Sequence, residues 1–232
     1  MTDVTNETET RRIAVIGASR GLGRAVVAAA VARGFEVNAL ARTAPVPGGD
    51  EGECGSPADV FGTAVRWVRG DATDRDAVTA AVTGTEAVIV TLGAAARDAS
   101  GPRTRGTRVV LEAMREQGVR RLVVASSLGV GDSAVLLPAP VRYLIAPLFM
   151  RRALDDHADQ EGLVTTADLD WTILRPGGLT GECGGAEIAA GFTSVDGVVL
   201  RIPRADVAAY ALDHLDDETS YHRAVALGTV KR

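Results

Sequence analysis

The first apolar run of the chain, Ile13-Ala14-Val15-Ile16, has no polar residue in it, as a strand covered on both faces requires. It stops at Gly17 and gives way to helical spacing over 21–33, where Gly34 supplies a C-terminal stop. The alternation then repeats. Strands are predicted at 37–41, 64–68, 87–92 and 122–125, and helices at 74–82, opening on Asp74, and at 103–117, closed by Gly118. Beyond residue 127 the pattern predicts an apolar segment over 140–150, a polar helix over 151–166 and a sixth strand at 171–174. A Gly-rich loop follows at 176–197, then a short strand at 198–202 and a last helix at 204–215. Short buried strands alternating with helices specify α/β architecture: a single-domain Rossmann fold with a doubly wound parallel sheet. Residues 1–11 are polar and acidic and read as a flexible tail; residues 43–63, rich in Gly, Pro and acid, read as a surface loop; no linker divides 12–232.

Between the first strand and the first helix stands Gly17-Ala18-Ser19-Arg20-Gly21-Leu22-Gly23, the spacing of a dinucleotide-binding turn. Gly17 allows the tight turn, Gly21 lets the backbone approach a pyrophosphate, and Gly23 lets the helix pack close to the strand. Ser19 and Leu22 belong to the same loop. The second strand ends Ala39-Leu40-Ala41-Arg42, without the acid that receives the adenosine ribose of NAD. Arg42, with Arg20 inside the turn, suits a 2′-phosphate instead, so NADPH is the expected cofactor. Gly70-Asp71-Ala72 follows the third strand; Asp71 serves either the adenine amino group or the cap of the next helix. Thr91-Leu92-Gly93 closes the fourth strand at the crevice where the cofactor is expected.

Composition narrows the chemistry. The 25 basic residues include one lysine, Lys231, which excludes mechanisms built on an internal lysine. The net charge of −5 argues against a nucleic-acid surface. Cys54 and Cys183 match no metal-ligand spacing and read as free thiols of a reducing compartment; no metal site is visible. The longest apolar stretch, 136–150, is broken by Pro138, Pro140, Arg142 and Pro147, so no membrane partner and a cytoplasmic location are expected.

Taken together the sequence resembles the atypical short-chain dehydrogenase/reductases, and among them the NmrA-like and biliverdin-IXβ reductase/flavin reductase-like proteins, over about residues 11–227. The segments that carry the resemblance are GASRGLGR at 17–24, AVIVTLG at 87–93, RGTRVVLEAMREQGVRRLVVASS at 105–127, DDH at 155–157, LDWTILRPGGLTG at 169–181 and IPRADVAAYAL at 202–212. The glycine loop departs from the more usual GATG of this group and is closer to that of the typical short-chain reductases. Their Tyr-x-x-x-Lys pair is absent, because Tyr143 is followed at that spacing by Pro147.

The resemblance implies that Ser126 and Ser127 line the nicotinamide side of the pocket and that Pro176 and Gly177 close over it. His157 falls where many relatives carry lysine; a histidine there suits proton transfer, though beside Asp155 and Asp156 it also reads as part of a surface charge cluster. Arg175, at the tip of a buried strand, is expected to pair with a carboxylate. The substrate pocket is assigned to 128–150 and 176–200; the apolar side chains of 136–149 suit a planar or aromatic small molecule, or else a subunit interface, in a monomer or homodimer. The expected function is NADPH-dependent hydride transfer to a flavin, tetrapyrrole, quinone or polyketide-like carbonyl compound, with Ser127 and His157 as catalytic residues. The resemblance to NmrA-like proteins keeps a second reading open, a non-catalytic sensor of NADP(H).

Overall fold

The computed structural model describes residues 10–43, 62–93, 98 and 100–231. The expected tail, most of the 43–63 loop and Cys54 lie outside the described residues. Eight strands form the path of the main sheet: β1 (Arg12–Ile16), β2 (Glu36–Ala41), β3 (Val65–Arg69), β4 (Ala87–Val90), β5 (Arg121–Ala125), β6 (Asp170–Pro176), β8 (Ile188–Ala190) and β11 (Arg223–Val230). Their order is β3-β2-β1-β4-β5-β6-β11-β8, with β9 (Val198–Val199) also on β11. All pairings from β3 through β11 are parallel, and β8 and β9 join β11 antiparallel. The strand order reverses between β1 and β4, the crevice where a doubly wound sheet binds its ligand.

Helices α1 (Gly21–Ala32) and α5 (Arg204–Asp213) cover one face, burying Val26, Val27, Ala30, Val207 and Leu212 against Ile13, Val15 and Ile89. On the other face, α2 (Arg75–Val82), α3 (Pro102–Gln117) and α4 (Arg151–Thr165) place Val78, Val110, Met114 and Val164 over Ile16, Val88 and Leu122. The continuous apolar runs of β1 and β4 follow from being sandwiched in this way. A second, two-stranded parallel sheet, β7 (Gly178–Thr180) with β10 (Arg201–Pro203), lies beyond the carboxyl end of β6.

Three features differ from the expectations. First, β11 was not foreseen, and neither was β8 within the expected loop. Burial along β11 rises towards Ala226, Leu227 and Gly228 and falls again, so no period-2 alternation marks it. Gly228 in its middle reads as a strand breaker, yet a Cβ there would stand 2.7 Å from the carbonyl oxygen of Val199. The glycine is what lets β9 fold back onto β11. Second, the 140–150 segment is a π-helix, Val141–Met150, containing Pro147 and running directly into α4. Third, Cys183 is disulfide-bonded. Distance along the chain argued for free thiols, but it does not fix distance in space, and the thiol argument for a reducing compartment fails with it. No helix among the described residues is long and apolar enough to cross a membrane.

If β11 is integral to the cooperative fold, Leu227→Ala, at a fully buried position, lowers unfolding free energy by about 2–5 kcal/mol in urea titrations. A loss below about 0.5 kcal/mol, the range of surface substitutions, contradicts that role.

Candidate active site

The turn after β1 is built by close approach. Gly17 has φ +95°, a left-handed conformation, and a Cβ on it would lie 2.8 Å from the Thr91 carbonyl oxygen. A Cβ on Gly23 would fall 2.1 Å from the Gly17 carbonyl oxygen, so α1 sits directly on the turn. Thr91, just past β4, ties the two together: its N–H and hydroxyl both donate to Ile16 O, at 2.9 and 3.1 Å. Arg20 precedes α1, and no side chain caps that helix. Its first-turn N–H groups and the positive end of its dipole are thus left for an anion.

A cleft of about 910 Å³ runs over this turn. At one end it is lined by Leu40, Ala41 and Arg42 from β2 and by Gly70, Asp71 and Ala72 after β3. Arg42 is exposed. Asp71 does not cap α2; Asp74 does, accepting from the N–H groups of Asp76 and Ala77 at 3.1 and 3.2 Å. The Asp71 carboxylate accepts instead from the N–H and hydroxyl of Thr73, at 3.0 and 2.8 Å. Those two bonds, with Arg42 nearby, hold it below the usual carboxylate range.

The opposite end is made by α4, which is fastened at two carboxylates. Asp156 accepts from the backbone N–H groups of Arg103 and Thr104, at 3.1 and 3.0 Å, and from the Thr104 hydroxyl at 2.7 Å, so it caps α3 from a neighbouring helix. Glu161 receives Arg175 in a fork, Nε to Oε1 at 3.0 Å and Nη2 to Oε2 at 2.7 Å, and Arg175 also pairs with Asp132. The Ser126 hydroxyl donates to the same Glu161, at 2.5 Å. Arg175 thus pairs with carboxylates, as its position on β6 suggested.

Between these attachments His157 is buried in the cleft wall. Burial, with the Arg103 guanidinium beside it, pushes its imidazole down to about 4. Gln160 donates its amide to the Thr107 hydroxyl at 2.9 Å, which turns its oxygen towards His157 Nδ1 at 3.3 Å. The neutral ring therefore donates from Nδ1 and keeps an acceptor lone pair on Nε2.

Of the residues singled out from sequence, Gly17, Ser19, Arg20, Gly21, Leu22, Arg42, Asp71, Ala72, Leu92, Gly93, Ser126, His157 and Pro176 line the cleft. Gly23 lies beneath it, and Gly177 packs against Leu200, whose carbonyl oxygen would be 2.6 Å from a Cβ. Ser127 is not in the lining; its hydroxyl donates to the Leu128 carbonyl at 3.2 Å. Nothing from 128–150 lines the cleft either, and Tyr143, Leu144, Leu148 and Phe149 are turned to solvent. Sequence reasoning missed Arg103 and Arg204, which do line it. Each stands in the first turn of a helix directly after a proline, Pro102 or Pro203, on the carboxyl side of the sheet. That placement was the available signal.

Glu161→Gln removes the buried carboxylate of the Arg175 fork, leaving the exposed Asp132 as its charge partner, and is expected to cost about 3–5 kcal/mol in urea unfolding; an unchanged midpoint contradicts the clamp. His157, neutral when buried, gives the fold stability that is complete above pH 6.5 and is lost as pH falls towards 4. Between pH 7 and pH 4 the wild type should therefore lose about 3 kcal/mol more than His157→Gln. Parallel losses would show that His157 is not desolvated.

The family profile described as NAD(P)H-binding matches residues 17–218. UPF0659 protein C216.03 of Schizosaccharomyces pombe is 33% identical over 153 residues, 59% of this chain; the match spans 60% of the relative's own length, less than two thirds of it. The 3-diazoavenalumate denitrifying reductase of Streptomyces sp is 30% identical, covering 89% of this chain and 69% of the relative. Among solved structures, ChuY, an anaerobillin reductase from Escherichia coli O157:H7, is alike in fold, with TM-score 0.70 and 24% identity over 93% of this chain and 96% of that one. With the glycine turn, the uncapped helix and the strand reversal all at one cleft, the chain belongs to the NAD(P)H-binding family.

Proposed function

We propose that the protein is an NADPH-dependent reductase that delivers hydride to a conjugated small molecule: a flavin, tetrapyrrole, quinone or polyketide-like carbonyl compound. The observation that carries this reading is the continuity of the cleft. One cavity joins an anion seat at the start of α1 to a chamber walled by buried His157, Ser126, Arg103 and Pro176. The likeness to two reductases, one named for anaerobillin and one for 3-diazoavenalumate, agrees with a conjugated substrate.

The dinucleotide fits the residues present: the space that a Cβ on Gly17 or Gly23 would fill is taken by backbone, and the first-turn N–H groups of α1 await an anion. When bound, NADPH supplies the hydride and its two electrons. The rest falls to side chains. Backbone N–H groups from Gly21 to Gly23 hold the pyrophosphate, Arg42 and Arg20 take the 2′-phosphate, and Asp71 accepts from adenine. Ser126 and Pro176 border the nicotinamide. His157 is neutral at pH 7 and offers Nε2 as an acceptor, so it orients a hydroxyl or amide and does not act as a cationic acid. The proton that completes reduction comes from water entering the cleft.

The test follows NADPH oxidation against FMN, riboflavin, biliverdin and quinones, with NADH in parallel. Acceptor-dependent oxidation is expected; tight NADPH binding without turnover would favour the sensor reading. Arg42→Asp should move the NADPH/NADH ratio of kcat/KM towards NADH by at least about tenfold, equivalent to about 1.4 kcal/mol. An unchanged ratio removes the 2′-phosphate assignment.

A further inference from the structure

Arg103 holds neither the glycine turn nor the phosphate end of the cleft, yet its side chain is nine-tenths buried in the chamber wall beside His157. Its Nη1 reaches Asp156 Oδ2 at 3.3 Å, long for a charge-assisted bond. Its Nε is buried with no acceptor among the described residues. Asp156 is satisfied without that guanidinium, because two backbone N–H groups and a hydroxyl at the positive end of α3 already donate to it.

Arg175 shows what an equally buried guanidinium does in this chain when its acceptor is present: Nε and Nη2 each donate to one oxygen of Glu161. Two arginines of equal burial stand near one helix, α4, and one has its fork filled while the other does not. A buried charged donor without an acceptor is costly, and such groups in native structures call for an explanation, a missing ligand among them. Asp156 reaches Nη1 alone, and the other neighbouring charges do not supply an acceptor for Nε. Glu161 is taken by Arg175, His157 is neutral, and Asp98, at the cleft, accepts from the N–H and hydroxyl of Ser100.

We infer that Arg103 receives a carboxylate of the substrate, so that the substrate is a conjugated carboxylic acid. The inference rests on the reductase reading for which end of the cleft takes substrate. A planar carboxylate matches the guanidinium edge as Glu161 matches Arg175. A neutral carbonyl offers a single oxygen and leaves the long contact to Asp156 as the only charge partner of that guanidinium among the described residues. The cofactor's phosphates are held at the turn and at Arg42.

The test titrates the full chain, saturated with NADP, with trans-cinnamate and with trans-cinnamamide, which differ in the charge. The acid is expected to bind at least tenfold more tightly than the amide. Arg103→Gln should erase that difference and leave the NADPH dissociation constant within twofold, while Arg103→Lys, which keeps the charge but not the fork, retains part of it. Equal affinity of acid and amide, binding of neither, or an acid preference that survives Arg103→Gln overturns the inference. If Arg103→Gln weakens NADPH as much as the acid, Arg103 is a cofactor ligand and the inference also falls. The wild-type comparison of acid with amide decides the matter even where a variant folds poorly. Absence of NADPH binding to the wild type would instead overturn the reductase reading, and the same comparison on the protein alone would still judge Arg103.

Discussion

The buried fork between Arg175 and Glu161 joins the carboxyl end of the central sheet to α4, and the chamber depends on it. Arg175 lies on β6, a strand paired with β5 up to Leu174 and with β11 at Arg175 itself; Glu161 lies on α4, which is also held through Asp156 at the start of α3. With α4 held at Asp156 and Glu161, His157 and Gln160 have fixed positions between the two attachments, and Ser126 is drawn to the Glu161 carboxylate. A buried ion pair of this kind is a poor source of net stability. What it supplies is register, since a helix held only by Val164 and its apolar neighbours could slide along the sheet.

The two ends of the cleft are built differently. At the turn, recognition is by backbone: N–H groups, the helix dipole and the space kept by Gly17 and Gly23. At α4, recognition is by side chains whose charge states the surroundings set. Burial keeps His157 neutral, while Glu161 and Asp132 keep Arg175 charged against the same burial. A common dinucleotide is thus held by parts that tolerate little change, and substrate choice is left to residues that can be exchanged one at a time.

How much of this was legible follows the range of the interactions. The order of strands and helices through β5, the glycine turn and the place of Arg42 at the end of β2 were readable because each depends on neighbours within one βα unit. Arg175 was expected to find a carboxylate because an arginine at the tip of a buried strand needs one, but which carboxylate is a matter of tertiary packing. Ser127, placed by resemblance, and the 128–150 pocket, placed by its apolar side chains, lie outside the cleft lining, because the Ser127 hydroxyl finds a local acceptor in Leu128 and the π-helix turns its apolar side chains outward. β11 was missed because its glycine serves β9, a strand about thirty residues earlier, and no local pattern records such a debt.

The position of β11 also orders events in time. The strands that carry the cofactor turn, β1 to β4, are all synthesised before residue 91, and they pair with one another. β6, which bears Arg175 and Pro176, keeps an unpaired edge until residues 223–230 emerge. On a ribosome, where earlier segments are free to fold first, the dinucleotide seat takes shape while the strand that bears Arg175 and Pro176 still has an open edge. That edge is covered only with the final strand of the sheet.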